Sequence, residues 1–441
     1  MIFNEVNTGI YAWDVADQGI DFILDRLQGE VGITALYMTA LMHSEKRPHK
    51  DIVYKHNAIR KTFVPNDARC YWLPNPAAYA KSRIKPRVVE TEGLMGVDWL
   101  RAMTEGCRKR GLKTGVSMSH TPLDRERANA EFSDCLQRDI YGRPLPIAAP
   151  GLRNKYHSQI LCWNNPDALD YITSLAADLA TNQDVDYIQI SNFLFNEGRP
   201  DLHPVYGVAL GGCFCKSCEQ AARARGYDWD AIVKTVRRLA DIVMRGTVRD
   251  DEAWLLLQRG DASILKLMLE NPPLYEWMQF RCDTINRYFE RMSQAIKGAR
   301  STVDFRYNTC FNPDYIGQNL ADIGKHVDSI RILDYAEETG IEEKVRAKSV
   351  SFSNGRREVG PDMPVIGTIA VRAQATPELI KLGVKTLALH GADGISLAFH
   401  DGASRKMLNA VRDGIQEAEV SVSPKHFLRD DPHRRPETSA S

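Results

Sequence analysis

No run of 18 apolar residues occurs in the 441-residue chain, which excludes a transmembrane helix. A net charge of either sign is lacking too: Lys and Arg together number 57, and so do Asp and Glu. Without a basic excess, nucleic acid and an anionic membrane are not expected as partners. The first residues, Met1-Ile2-Phe3-Asn4-Glu5-Val6-Asn7, show no basic region followed by an apolar run, so no signal peptide is read there. No Gly-x-Gly-x-x-Gly follows any apolar segment. That speaks against a dinucleotide-binding fold, and no organic cofactor is expected. The nine cysteines are an odd number scattered along the chain. Without an export signal they read as reduced thiols or metal ligands in a cytoplasmic protein, not as a disulfide framework.

What is present is globular material, 43% hydrophobic and 26% charged, enough for a large buried core. Length alone would suggest two or three domains, but α/β barrels routinely exceed the usual domain size. Short apolar, β-rich runs alternate with helical-period segments throughout, the pattern of βα units on a parallel sheet. The runs lie at 9–13, 33–38, 113–118, 186–192, 305–309, 330–334, 365–371 and 394–400. Helices are expected at 97–110, from Asn165-Pro166-Asp167, from a cap at Thr376, and at 404–418. Eight such runs predict the α/β class and a (β/α)8 TIM barrel over 1–420. A helical insertion is expected at about 219–300, and 421–441 reads as a polar C-terminal tail. In the insertion, Ile232, Val236, Leu239 and Val243 recur at helical spacing. Trp254-Leu255-Leu256-Leu257 and Leu274, Trp277 and Phe280 are expected to be exposed there and to form a homo-oligomer contact.

The sharpest local motif is Cys213-Phe214-Cys215-Lys216-Ser217-Cys218, a C-x-C-x2-C run in the loop after the fourth strand. Three thiols this close suit one soft cation, and tetrahedral Zn²⁺ needs a fourth ligand. Cys162, at the end of the neighbouring loop after the third strand, is the choice. Four protein ligands leave no open position, so the zinc would be structural, clamping two loops.

These residues resemble the β-galactosidases of glycoside hydrolase family 42, which carry such a cluster. The likeness covers roughly 110–225, through Cys162-Trp163-Asn164-Asn165-Pro166 and Gln189-Ile190-Ser191-Asn192-Phe193 ahead of the cysteine run. Poorly characterised barrels grouped as hypothetical glycosyl hydrolases look like closer kin. The resemblance implies the barrel, the zinc and a carbohydrate substrate. It does not carry over the catalytic pair: Phe193 stands where that family has its acid/base glutamate, and Ala370-Val371-Arg372 has no carboxylate where its nucleophile lies. Ordinary β-galactosidase activity is therefore not expected.

In a barrel of this kind, polar residues at the carboxyl ends of strands are the candidates for chemistry. They are Asp14, His120, Asn192, Glu197, Asn308, Asp334, Glu337, Arg372, His400 and Asp401. Glycoside hydrolysis needs two carboxyl groups flanking the bond, and Glu197 and Asp334 are the expected pair, with Asp334 aimed into the mouth and Leu333 away from it. Trp13, Asp14, His120, Asn192, Asn308, Arg372, His400 and Asp401 are expected to bind a small-molecule or oligosaccharide substrate. The bland readings stand beside these: Glu197 as a solvated loop residue, Asp334 salt-bridged to Arg331 or Arg306, Asp14 as a helix cap, and the histidines as hydrogen-bonded wall. Trp13, Tyr37, Trp163 and Phe193 serve equally as sugar-stacking walls or as packing. A metal-dependent sugar isomerase, epimerase or lyase built on Asp14, His120, Asp334 and His400 is the alternative, though no His-x-His or His-Glu-x-x-His spacing supports it. A sugar-binding barrel without activity is a third reading.

Overall fold

The computed structural model describes residues 2–43, 68–119, 123, 125–144, 161–191, 195, 211–246, 264–309, 317–398 and 403–421. Eight parallel strands close on themselves: β1 (Glu5–Ile10), β2 (Ala35–His43), β3 (Lys113–Ser119), β4 (Tyr187–Ser191), β5 (Asp304–Asn308), β6 (Ser329–Ile332), β7 (Val365–Ala370) and β8 (Gly394–Ala398). Each pairs with its sequence neighbour, and β1 pairs with both β2 and β8. A short strand, Ala68–Cys70, runs antiparallel to the end of β2. The expected (β/α)8 barrel is the fold. Among the described residues, no helix is long and apolar enough to cross a membrane.

Helices form the outer layer, and their starts follow from local chemistry. Asn165 accepts from the N–H groups of Asp167 and Ala168, with Pro166 fixing the first turn of Pro166–Asn182. Thr376 accepts from the Leu379 N–H at the head of Pro377–Leu389, as expected for that cap. The first strand differs from expectation. It covers Glu5–Ile10, and Trp13 and Asp14 belong to the helix Ala12–Gln18, because the Asp14 carboxylate accepts from the Tyr11 N–H at 3.0 Å and starts the helix there.

Between β4 and β5 lie the helices Lys216–Ala224, Trp229–Gly246, Ile264–Glu270 and Pro273–Ala299. The last packs on Pro166–Asn182, and Trp229–Gly246 packs on it in turn. Leu274, Trp277 and Phe280 are not the exposed face expected of them. All three are buried, with Trp277 and Phe280 in an aromatic cluster with Trp229 and Phe214, so helix-to-helix packing uses this apolar surface. Residues 254–257 and the tail from 422 lie outside the described residues.

Successive strand residues point to opposite faces. The outward set, including Ile188, Ile190, Phe305, Tyr307, Ile330 and Ile332, is apolar and meets the helices. Much of the inward set is polar or aromatic, with glycines, Ala35 and Ile366 among them, where Val, Ile and Leu usually dominate such barrels. Arg306 on β5 reaches across to Glu5 on β1 through two hydrogen bonds of 2.7 and 3.1 Å. It also bonds Ser329 at 2.9 Å and Asp304 at 2.9 Å, and lies 4.0 Å over the Tyr187 ring. Room for these rings comes from glycine: a Cβ on Gly9 would strike Tyr37 at 2.5 Å, and one on Gly115 would strike Tyr187 at 2.1 Å.

Burial alone would raise the Glu5 carboxyl, but the charge and hydrogen bonds of Arg306 outweigh it and hold the carboxyl below its ordinary value. The pair therefore contributes fully above the unfolded carboxylate pKa, and the contribution is lost as pH falls through the lower folded value. Glu5→Gln is expected to destabilise the protein by about 3 kcal/mol at neutral pH, because Arg306 stays buried with Asp304 as its remaining carboxylate. Denaturation curves should show the gap between wild type and variant narrowing below about pH 4. Equal stability at pH 7 would contradict the role given to the pair.

Candidate metal centre and barrel mouth

The loop after β3 and the loop after β4 meet at four buried cysteines, Cys162, Cys213, Cys215 and Cys218, whose sulfurs all lie within 4.8 Å of one another. Cys162 Sγ is 3.4 Å from both Cys215 Sγ and Cys218 Sγ. Tetrahedral thiolates at about 2.3 Å from one ion stand roughly 3.8 Å apart, so this sulfur cage is the right size for a soft cation.

Local geometry delivers each sulfur. Gly212 takes φ +88, where a Cβ would strike the Trp277 ring at 2.3 Å, and this turn presents Cys213. Cys215 caps the helix Lys216–Ala224, and Cys218 sits in its first turn. Cys162 comes just before the cap of Pro166–Asn182. Donors point at the sulfurs: the Arg138 N–H at 3.4 Å from Cys213 Sγ, and Asn164 Nδ2 at 3.3 Å from Cys218 Sγ. Asn164 is itself held by Arg225 at 3.0 Å and by Thr284 at 3.2 Å. Hydrogen bonds from Cys162, Cys213 and Cys218 hold the Cys215 thiol far below its ordinary value. Burial pushes Cys218 up, and bonding to Cys213 and Cys215 pushes up Cys162. A cation bound in the cage would hold the sulfurs as thiolates, since thiolate is the metal-binding form.

The expected mouth residues are only partly brought together. Glu197, His120, Asn192, His400, Asp401 and Phe193 lie outside the described residues. Trp13 is buried, stacked on Tyr11 at 4.5 Å and edge-on to Tyr71 at 5.7 Å, so as found it is wall packing. Trp163 packs against Tyr288, and Tyr37 points into the barrel beside Tyr187. Asn308, at the end of β5, accepts from Arg331 at 2.5 Å inside the barrel. Arg372, just beyond β7, pairs with Glu338 at 2.6 Å. The next residue, Ala373, takes φ 54, a strained conformation for a residue with a Cβ.

The geometry expected of Asp334 is reversed. Arg331 points inward to Asn308 and Ser396, and Ile332 points outward against Gly355 of the helix Glu342–Val359. By alternation Asp334 also turns outward, and its carboxylate accepts from Ser351 of that helix at 2.7 Å. Its other oxygen accepts from the Ala336 N–H at 3.1 Å, at the start of the short 3-10 helix Ala336–Thr339. Neither Arg331 nor Arg306 pairs with it; Arg306 takes Glu5 and Asp304 instead. Glu337 is a buried partner of Lys348 at 2.5 Å and accepts from the Ala370 N–H, so it ties β7 to the outer layer. Glu338 is not among the residues expected from sequence, and Arg306 and Arg331 figure there only as partners of Asp334, whereas they bond Glu5 and Asn308 inside the barrel. The two arginines carried a readable signal, since YIQIS, DFRYN and SIRI alternate polar and apolar in strands already expected to lie under helices.

Elemental analysis of protein purified without chelator is expected to find one metal ion per chain. Cys213→Ser should lower the melting temperature and weaken retention of the ion, since the cage then offers three thiolates. Metal-free protein of unchanged stability would overturn the assignment.

No family model matches the chain, so family 42 membership is not established, and a comparison with curated proteins finds no match. Among solved structures the fold is similar to the PgaB (BpsB) glycoside hydrolase domain from Bordetella bronchiseptica, at 12% identity and a TM-score of 0.57 over 94% of this chain and 98% of that one. It is also similar to the β-galactosidase from the psychrophilic Marinomonas ef1, at 12% identity and a TM-score of 0.55 over 95% of this chain. The β-galactosidase from Bacillus circulans sp. alkalophilus gives 14% identity and a TM-score of 0.53 over 94%. This chain spans 60% and 57% of those two enzymes. At such identities the likeness is one of fold.

Proposed function

We propose that this chain is a carbohydrate-active enzyme of glycoside hydrolase type, cleaving a glycosidic bond with two carboxyl groups at the carboxyl end of the barrel. One observation carries the reading: the barrel is almost coextensive with a glycoside hydrolase domain, over 94% of this chain and 98% of the other. We assign zinc to the cysteine cage. An all-sulfur, four-ligand set suits a structural zinc and leaves no open coordination position for substrate. Its part is to hold the loops after β3 and β4, the second of which carries Glu197, the proposed acid.

The partner carboxyl group in this proposal is Glu338. It follows β6, is about one-quarter exposed, and is oriented by Arg372 from the neighbouring strand end. Asp334 becomes a positioning residue, because its carboxylate accepts from the Ala336 N–H at the start of the short helix that carries Glu338. Hydrolysis by a carboxyl pair requires one group to protonate the leaving oxygen and the other to act as base or nucleophile.

Wild-type protein is expected to release sugar from at least one member of a panel of α- and β-linked aryl glycosides and polysaccharides. On that substrate Glu338→Gln should lose about 10²-fold or more in kcat while staying folded. Asp334→Asn should retain most of its turnover and its stability, because the amide oxygen still accepts from the Ala336 N–H. The opposite ranking would return the role to Asp334, and no cleavage across the panel would overturn the reading.

A further inference from the structure

The second guanidinium inside the barrel, Arg331, is 2% exposed and has surroundings unlike those of Arg306. Its Nε donates to Ser396 Oγ at 2.7 Å, Nη1 to Asn308 Oδ1 at 2.5 Å, and Nη2 to the Tyr335 hydroxyl at 3.4 Å. All three acceptors are neutral, and among the described residues no carboxylate pairs with it. A guanidinium carries five N–H donors, so these three bonds leave two without an acceptor among the described residues. Removing one member of a buried ion pair is strongly destabilising, because an uncompensated buried charge remains, and Arg331 stands in that condition.

A second observation falls beside it. Asn7 is fully buried and donates through Nδ2 to Glu5 at 2.6 Å, while its Oδ1 has no donor. Asn7 pairs in register with Ser396, the residue that takes the Arg331 Nε. Arg331 pairs in register with Asn308, two residues nearer the mouth than Arg306. An unmatched cation and an unmatched acceptor therefore share the interior above the Glu5–Arg306 pair, where buried polar groups are ordinarily satisfied.

We propose that the barrel binds an anionic sugar, whose carboxylate or sulfate ester supplies the counter-charge that Arg331 lacks and whose neighbouring hydroxyl donates to Asn7 Oδ1. Arg331 presents a planar fork of donors, the geometry that carboxylate and sulfate oxygens match. The inference rests on the proposed function only in taking the ligand to be a sugar.

Calorimetric titration of the full chain with a uronic-acid disaccharide, a sulfated disaccharide, the neutral parent and inorganic sulfate tests it without requiring turnover. One of the anionic disaccharides is expected to bind about tenfold or more tighter than the neutral parent, the size of a charged hydrogen bond. Arg331→Met should abolish that preference and Arg331→Lys should keep part of it, with melting curves reporting whether each is folded. The wild-type preference is decisive even if Arg331→Met does not fold. Equal affinity for neutral and anionic sugars would overturn the proposal, as would inorganic sulfate binding as tightly as the sulfated sugar. Anion-preferring binding with no cleavage of any glycoside would overturn the hydrolase reading and leave this inference standing. Cleavage of neutral glycosides without anionic preference would do the reverse.

Discussion

An ion pair that spans the barrel from β5 to β1 governs what else the interior can hold. Arg306 and Glu5 sit on opposite strands of an eight-stranded cylinder, and their contact draws the two walls together through polar side chains. Once a guanidinium occupies the axis, its neighbours must solvate it, and Asp304, Ser329 and the face of Tyr187 do so. The Tyr37 and Tyr187 rings in turn require Gly9 and Gly115, their register partners on the neighbouring strands. A barrel filled this way depends on specific partners where an aliphatic one depends on volume, so its stability responds to acid.

The rim is organised by a different chemistry. Four thiols from two successive βα loops converge on one point, supported by Arg138, Asn164 and Arg225. Where the two loops meet, the four sulfurs lie within the apolar core and form a cage that could hold a metal ion. The loop after β4, the stretch that carries Asn192 and Glu197 in sequence, is anchored at its far end by Cys213, Cys215 and Cys218. On the other side of the mouth, Glu338 and Arg372 hold each other across the ends of β6 and β7, with Ala373 in a strained backbone conformation beside them. The sulfur cage lies on one side of the mouth and this ion pair on the other, with the Arg331 guanidinium inside the barrel between them.

Much of this was legible in the residues themselves. Apolar runs at βα spacing give eight strands because each must bury one face under a helix, and seven of those runs overlap the observed strands closely. The first slipped by about four residues, because Tyr11, Ala12 and Trp13 read as β-rich until the Asp14 carboxylate is seen capping the Tyr11 N–H. The C-x-C-x2-C run determined its own geometry, since a helix cap and first turn place Cys215 and Cys218 on one side. Asn165 and Thr376 mark helix starts wherever they precede a proline and a helical period.

Only the tertiary structure decided which way each polar residue faces. A strand one residue out of phase exchanges its inward and outward sets, and Asp334 moved from the mouth to the outer helices by that rule alone. Helix packing decided that Leu274, Trp277 and Phe280 are core, which an apolar helix face cannot declare for itself. Closure of the sheet put Glu5 opposite Arg306 across 301 positions of sequence, and left Arg331 among neutral partners. The chain's composition and local patterns thus determine the strands, the caps and the sulfur motif, because those depend on near neighbours. Charge pairing in the barrel depends on which strands face each other, and that is a property of the closed cylinder.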